Sequence, residues 1–406
     1  MIQQNKTIAV VGLGTAGIQS LAHFLAQMDN SWTIISISDP SIPIIGIGES
    51  TNPTFVATLE EGAHFSMAEE LEKQEMLSTI KLGTKYVNWR EPSFINAFSR
   101  ASIGIQMDSH LLKEWALPRF RSIWGLKFQE IEGNVKEIKN IDDKALVNID
   151  NKEYVYDFVI DCTGFPKTYD EYEIIDGVTN HALIHNKIES HNPLVTEHIA
   201  TKDGWMFTVP LANRLSCGYI FNDKITTVEQ AKINFSKEIN VPINKLNSIE
   251  YKYISYHAKK TIDKRIIKNG NKAMFFEPMF GNSLIGYGLI NQSAYNYIVG
   301  QISEQEANNR CKYTFRGIYE CIFWHYSQGS LYKTDFWKIS KNKAKEMIKN
   351  SSIIQDGIKK SKYFNTYGGA QNLNLEIFFP ILPMIKLAEN FGDKRFSERF
   401  TDEAIK

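Results

Sequence analysis

The chain has 406 residues, 43% hydrophobic and 23% charged, and its 46 basic and 46 acidic side chains leave a formal net charge of +0. That length calls for two or three units, or one large interleaved fold, rather than a single minimal domain. The charge balance supplies no basic field for nucleic acid and no acidic tail. Cys162, Cys217, Cys311 and Cys321 form neither a CxxC pair nor a Cys/His set with zinc spacing, so neither a disulfide framework nor a metal site is expected.

The first predicted element is a strand. Thr7-Ile8-Ala9-Val10-Val11 is apolar and rich in β-branched residues, and it runs straight into Gly12-x-Gly14-x-x-Gly17. Ile18, Leu21, Ala22 and Leu25 then take up helical spacing. In that frame Gly12 makes the tight turn, Gly14 lets a pyrophosphate approach the backbone, and Gly17 lets the helix pack on the strand. The helix start offers unpaired N–H groups and the positive end of its dipole to phosphate. Asp39 follows the next apolar run, residues 33–38, about 20 residues past the loop, where an acid can bind a ribose hydroxyl. A strand that begins by Thr7 leaves no room for a signal peptide.

Residues 41–53, SIPIIGIGESTNP, read as a flexible polar loop over a bound cofactor, with Ser50 and Thr51 donating hydrogen bonds and Pro53 opening the next helix. Residues 54–77 suggest a solvated helix pair. In IKLGTKYVNW, residues 80–89, Lys81 and Lys85 lie among apolar residues; lysines are usually at the surface, and a buried one is costly unless paired or neutralised. Residues 126–160 read as a β-meander with strands at 127–132, 134–139, 145–149 and 154–160, separated by Gly-Asn, Asp-Asp and Asp-Asn turns. The last strand ends in Asp161-Cys162-Thr163-Gly164, which can return to the glycine loop and close the nucleotide pocket. NAD-only dehydrogenases rarely insert such a meander, so the balance moves from NAD towards FAD.

Residues 204–222 alternate through two strands with a turn at 212–214, and residues 272–300 begin as a strand, pass Glu277-Pro278 and Gly281-Asn282-Ser283, and become helical. A helix start with small residues is a ready anion site. From Arg310 onward the chain reads as helix with an aromatic stripe that belongs in a core. The most apolar late stretch, residues 375–385, is short and holds Pro380 and Pro383, whereas a membrane span needs roughly 20 apolar residues. A cytoplasmic protein with no membrane or nucleic-acid partner is expected.

Seven segments in order resemble the flavin-dependent halogenases of the tryptophan-halogenase family: GLGTAG at the start, IGIGESTNP at 45–53, IKLGTKYVNW at 80–89, DCTGF at 161–165, GWMFTVPL at 204–211, EPMFGNSL at 277–284 and HYSQGSLYKTDFW at 325–337. The resemblance implies an α/β FAD-monooxygenase-type fold, in which a Rossmann-like FAD module is interleaved with an antiparallel substrate sheet and a helical C-terminal region. It places the FAD module at 1–58, 98–170 and 264–300, and the substrate-binding region at 59–97, 171–263 and 301–406.

It also implies a reaction. FAD, reduced by a separate flavin reductase, combines with O₂ and halide to make hypohalous acid, which passes to a lysine and halogenates a small aromatic substrate. Lys81 matches that lysine, while Lys85 reads as structural. The implied FAD contacts are Gly12, Gly14, Thr15, Ala16, Gly17, Asp39, Gly48, Glu49, Ser50, Thr51, Val135, Thr163, Gly164 and Met279. A halide site falls at Gly281, Asn282 and Ser283, and the substrate pocket at Trp205, Phe207, Pro210 and Phe280. A homo-oligomer is compatible with the family.

Two departures stand out. The W-x-W-x-I-P element reads Trp205-Met206-Phe207-Thr208-Val209-Pro210, and Phe280 stands where tryptophan-specific members carry the catalytic glutamate of E-P-L-E-S-T. Glu277 then matches a structural position. The missing carboxylate points to an electron-rich ring, such as a phenol or pyrrole, and to bromide or iodide. The chain is also shorter than tryptophan-specific members, so a trimmed lid and a more open site are expected. The competing functions are an FAD-dependent aromatic hydroxylase and a catalytically inactive FAD-binding protein.

Overall fold

The computed structural model describes residues 5–44, 46, 49–98, 102–187, 194–355, 387–388 and 390–393. Gly48, the side chain of Glu49 and the stretch 375–385 lie outside the described residues. In chain order, β1 (Lys6–Val11), α1 (Thr15–Gln27) and β2 (Trp32–Ser38) form a first βαβ unit. After β3 (Glu49–Ser50) come α2 (Pro53–Ala63), α3 (Met67–Lys73), β4 (Thr79–Lys81), β5 (Gly83–Val87), β6 (Phe94–Ala97) and β7 (Gly104–Met107). Next are α4 (Ser109–Trp124), β8 (Phe128–Glu132), β9 (Val135–Ile141), β10 (Lys144–Ile149), β11 (Lys152–Tyr156) and β12 (Phe158–Asp161). Then follow β13 (Tyr172–Ile175), β14 (His181–Lys187), β15 (Thr196–Thr201), β16 (Gly204–Pro210), β17 (Leu215–Phe221) and α5 (Val228–Glu238). The remainder holds β18 (Ile249–Lys252), β19 (Ser255–Ala258), β20 (Ile262–Asp263), β21 (Ile266–Lys268), β22 (Met274–Phe275), α6 (Asn282–Ile298), α7 (Glu304–Gln328) and α8 (Asp335–Ile348).

A six-stranded sheet in the order β20-β21-β12-β1-β2-β8 carries the glycine loop at its centre, with β21, β12, β1, β2 and β8 all parallel. Parallel strands are covered on both faces, which is why β1 ends in an unbroken apolar run and β2 is buried along its whole length. On β1, Ile8 and Val10 join the large core with α1 residues Ile18, Leu21 and Leu25, while Ala9 and Val11 face Val147 and Ile149. The second cover is the three-stranded β9-β10-β11 meander. The expected four-strand meander is therefore divided. β8 and β12 leave it for the parallel sheet, and the run 154–160 breaks at Asp157, whose carboxylate accepts from Thr7 N (2.8 Å).

A seven-stranded sheet, β18-β14-β17-β16-β15-β5-β6, forms the second layer. One face (Leu183, Met206, Tyr219, Phe221) packs on α5, and the other (Tyr86, Ala200, Trp205, Phe207) turns into the large core towards α7. The small β3-β7-β4 sheet ties the two layers together. It also joins segments 49–50 and 104–107 to segment 79–81, across the expected division at 58/59 and 97/98. Pro53 opens α2 as expected, with Asn52 capping it through Phe55 N (3.0 Å). No helix among the described residues is long and apolar enough to cross a membrane.

Candidate active site

The three loop glycines are held for different reasons. A Cβ on Gly12 (φ +91°) would lie 2.4 Å from Cys162 O, and one on Gly17 would lie 1.9 Å from Gly12 O. Both therefore serve the backbone. Among the described residues a Cβ on Gly14 meets nothing within 4 Å, and neither does one on Gly164 (φ +92°) at the end of β12. Gly14 is the N-cap of α1 and, as a glycine, makes no side-chain cap bond of its own. Open space among the described residues against a helix N-terminus is what a pyrophosphate needs, so the residues present fit FAD. Thr15 and Ala16 form the first turn of α1, and Ala16 faces Gly270.

Asp39 follows β2 directly. Its carboxylate accepts from Ser41 and from Asn134 Nδ2, hydrogen bonds that hold its pKa below the usual range. Asn134 precedes Val135, so the start of β9 lies beside the Asp39 carboxylate. On the neighbouring strand end, Thr163 N and Oγ1 both donate to Asp161 Oδ1 (3.0 and 2.6 Å), which fixes the turn before Gly164.

The segment 49–51 is not the flexible loop expected. Glu49–Ser50 pairs with β7, and Thr51 exchanges hydrogen bonds with Ile105 through both backbone and hydroxyl. Ser50 instead faces Lys81. Lys81 is 2% exposed, at the end of β4, and its Nζ donates to Ser50 Oγ (2.7 Å) and Thr51 O (2.9 Å). Ser50 is bonded in turn to Thr196 Oγ1, which donates to Gln106 Oε1 (2.9 Å). The chain of donors thus runs outward from Lys81, and each bond polarises the next. Burial lowers the Lys81 pKa to about 7, with no carboxylate among the described residues beside it to offset the loss of water. Lys85, two strand positions from Gly83, pairs instead with Glu197 (2.8 Å) on the half-exposed side.

Sheet register assembles the wall around Lys81. His198 on β15 lies opposite Tyr86 on β5 and Phe207 on β16, and Ala200 opposite Trp205, so these side chains share the inner face. Phe207 lies on Gly218, where a Cβ would come within 2.2 Å of its ring. Pro210 accepts Thr79 Oγ1 (2.6 Å) through its carbonyl. Trp205 Nε1 donates to Tyr326 OH (3.0 Å) and Glu277 Oε1 (3.3 Å), and Tyr326 donates to the same carboxylate oxygen (2.7 Å). Burial raises the Glu277 pKa to about 7, against the pull of these donors and of Thr179.

Beyond Glu277 the chain turns sharply. Phe280 (φ +49°) and Gly281 (φ +68°) are both left-handed, and Gly281 comes so close to Ser50 that a Cβ would lie 2.9 Å from its carbonyl oxygen. Met279 is fully buried beside them. Asn282 uses its amide to brace this turn, donating to Glu277 O (3.0 Å) and Met279 O (2.9 Å), and Ser283 Oγ donates to Asn282 Oδ1 (3.3 Å). Phe280 stacks on His325 (5.3 Å, 16°), and His325 also stacks on Tyr86 (5.8 Å, 18°). His325 Nδ1 donates to Cys321 O (2.7 Å), leaving Nε2 to accept from Tyr86 OH (3.1 Å).

Among the described residues the more open site expected from chain length does not appear: Lys81, His198, Trp205 and His325 are each 2% exposed or less, and Phe391 packs over Tyr86 (5.5 Å), Phe94 (5.1 Å) and His325 (5.9 Å). His198 and the buried acid character of Glu277 escaped the sequence argument. Nothing in Thr196–Thr201 marks the histidine until register sets it beside its neighbours.

A nucleotide cradle on a parallel sheet, joined to a buried lysine behind an antiparallel sheet, defines the FAD-monooxygenase-type architecture. The sequence model of the tryptophan halogenase family matches residues 7–124 and 122–367, and the chain belongs to that family. It is similar to tryptophan 6-halogenase ThaL of Streptomyces albogriseolus, with 19% identity over 92% of this chain and 83% of that one. Its fold matches BrvH, a flavin-dependent halogenase from Brevundimonas sp. BAL3 (TM-score 0.76, 16% identity, 96% and 90% of the two chains covered). It also matches a tryptophan halogenase from Shewanella frigidimarina (TM-score 0.75, 17% identity, 96% and 90% covered).

Proposed function

We propose that the protein is a two-component FAD-dependent halogenase: a separate flavin reductase supplies reduced FAD, and Lys81 delivers hypohalous acid to an electron-rich aromatic ring. Reduced FAD, when bound, supplies with O₂ the oxidising equivalent that converts halide to hypohalous acid. Gly14 and the start of α1 receive its pyrophosphate, and Asp39 its ribose. With the Asn282 amide occupied by the turn, halide is held by Gly281, Ser283 and the start of α6.

The observation that carries this proposal is Lys81 itself, a lysine sealed from water with two N–H bonds committed to Ser50 and Thr51. As an ammonium it has one N–H left, which donates to the oxygen of hypohalous acid and aims the halogen. The aromatic wall keeps out water that would consume the oxidant. Phe280 offers no carboxylate to a cationic ring intermediate, so the substrate ring must stabilise its own charge, as a phenol or pyrrole does.

The test combines protein, flavin reductase, FAD, NADH, O₂ and halide with a panel of aromatics, and products are read by mass spectrometry. Halide-dependent halogenation is expected from the wild type. Lys81→Ala should oxidise reduced FAD at the wild-type rate and give no halogenated product. Near-wild-type halogenation by that variant would refute the role of Lys81, and a hydroxylated product would mean an aromatic hydroxylase instead.

A further inference from the structure

His198 is the polar group around Lys81 that the foregoing chemistry does not use. It lies in the middle of β15, 2% exposed, and its Nδ1 has no hydrogen-bond partner among the described residues. A buried imidazole nitrogen without a partner costs free energy that a purely structural residue at this position, valine or phenylalanine, would avoid. Its ring is wedged between Trp205 (5.0 Å) and Tyr86 (5.4 Å), so it cannot swing out to water.

His198 is also two residues from Thr196 and therefore on the same face of the sheet, and Thr196 meets Lys81 through Ser50. The adjacent Glu197 points to the opposite face and is occupied by Lys85. At the Glu277–Asn282 turn, the position that could have brought a second acid holds Phe280, stacked on His325.

We infer that His198 is the base of the halogenation step, accepting at Nδ1 the proton that the aromatic ring loses. The inference rests on the halogenase assignment above. The ring π pair forms the C–X bond as the O–X bond of hypohalous acid breaks, and the oxygen takes a proton from the Lys81 ammonium and leaves as water. The C–H bond of the cationic ring then breaks, its electron pair restores aromaticity, and its proton goes to His198. Transfer of that proton from His198 to the Lys81 amine resets both groups, so that the net change is ArH + HOX → ArX + H₂O. The cationic ring is a strong acid, so a neutral imidazole suffices to take its proton.

The groups that face His198 keep it neutral beforehand. Burial, the Lys81 charge and His325 all depress its pKa well below the ordinary value. Among the described residues, the titratable groups facing it are Lys81 from β4, Tyr86 from β5 and His325 from α7, and β16 offers only Trp205 and Phe207.

The test uses full-length His198→Asn and His198→Phe with reductase, FAD, NADH and halide. Both variants should bind FAD and make hypohalous acid, caught by a soluble trap, at the wild-type rate, which shows that they fold. Halogenation of a phenol should fall about 100-fold or more in both, within the range for loss of a positioned base. With a ring-deuterated phenol, the variants should show a primary isotope effect on halogenation that the wild type lacks, because proton loss becomes rate-limiting. A merely structural histidine would not produce that effect. Halogenation within threefold of wild type, or a fall without an isotope effect, overturns the inference and leaves the halogenase assignment standing. Absence of trapped hypohalous acid from the wild type overturns both.

Discussion

The glycine loop allows cofactor binding to be separated from folding by a single change. Gly14→Val places its Cβ where, among the described residues, nothing beyond its chain neighbours lies within 4 Å, on a backbone (φ −70°, ψ −174°) that any residue adopts. The folding cost is that of a poor N-cap, about 1 kcal/mol. The cost to binding is larger. A valine side chain there occupies the volume in which phosphate oxygens must come to about 2.9 Å from the N–H groups of the helix start. Losing two charge-assisted hydrogen bonds of about 1.5–3 kcal/mol each should weaken FAD by roughly 10²- to 10⁴-fold. Flavin fluorescence titration measures that loss, and thermal unfolding without FAD measures the fold. Gly17→Ala should do the reverse of a clean binding mutant, since its Cβ meets the Gly12 carbonyl at 1.9 Å and unfolds the turn itself. If Gly14→Val retains wild-type FAD affinity, the pyrophosphate does not lie against this loop and the cradle is wrongly placed.

Three further outcomes are expected. The folded pKa of Lys81, about 7, lies below its ordinary 10.5, so wild-type stability should rise with pH across that window. Lys81→Met, measured by denaturant titration, should be the more stable protein at pH 7, with an advantage that shrinks towards pH 10.5; a constant difference would refute the buried amine. Glu277 has the opposite sign, because its folded pKa of about 7 exceeds its ordinary 4.5 and stability is lost as pH rises through that range. Glu277→Gln should match wild type near pH 4.5 and exceed it above pH 7 by up to about 3 kcal/mol, with the amide donating to Thr179; equal stability at both pH values would contradict this. In competition with equal chloride, bromide and iodide, phenol should be brominated or iodinated in preference to any reaction of free tryptophan. Regioselective chlorination of tryptophan as the favoured reaction would show that Phe280 does not remove the need for an activated ring.

Much of the first layer was legible because its signals are local. The run Thr7–Val11 and Gly12-x-Gly14-x-x-Gly17 describe a strand, a turn and a helix within a few residues of one another, and β1 and α1 form there. The segment around Ser50 was misread for the complementary reason. Gly46, Gly48 and the polar triplet have loop composition, but β7 lies more than fifty residues on and supplies the strand partner that holds Glu49–Ser50 extended. Tertiary pairing overrode local preference.

By itself the sequence determined the nucleotide loop, the acid that follows β2, and the segment containing Lys81, because each is a contiguous pattern whose chemistry depends on neighbours along the chain. Only the tertiary structure showed what a side chain on each of two loop glycines would strike, the carbonyl of Cys162 at Gly12 and that of Gly12 at Gly17. It also decided that Lys81 is buried with no carboxylate beside it among the described residues, and that His198 lies on the inner face of the sheet while Glu197 and Lys85 pair on the other. Those assignments depend on strand register, in which a shift of one residue exchanges the two faces of a strand. Register between β5 and β15 is set by strands more than a hundred residues apart along the chain, which no local pattern encodes, while β15 and β16 are joined in a hairpin.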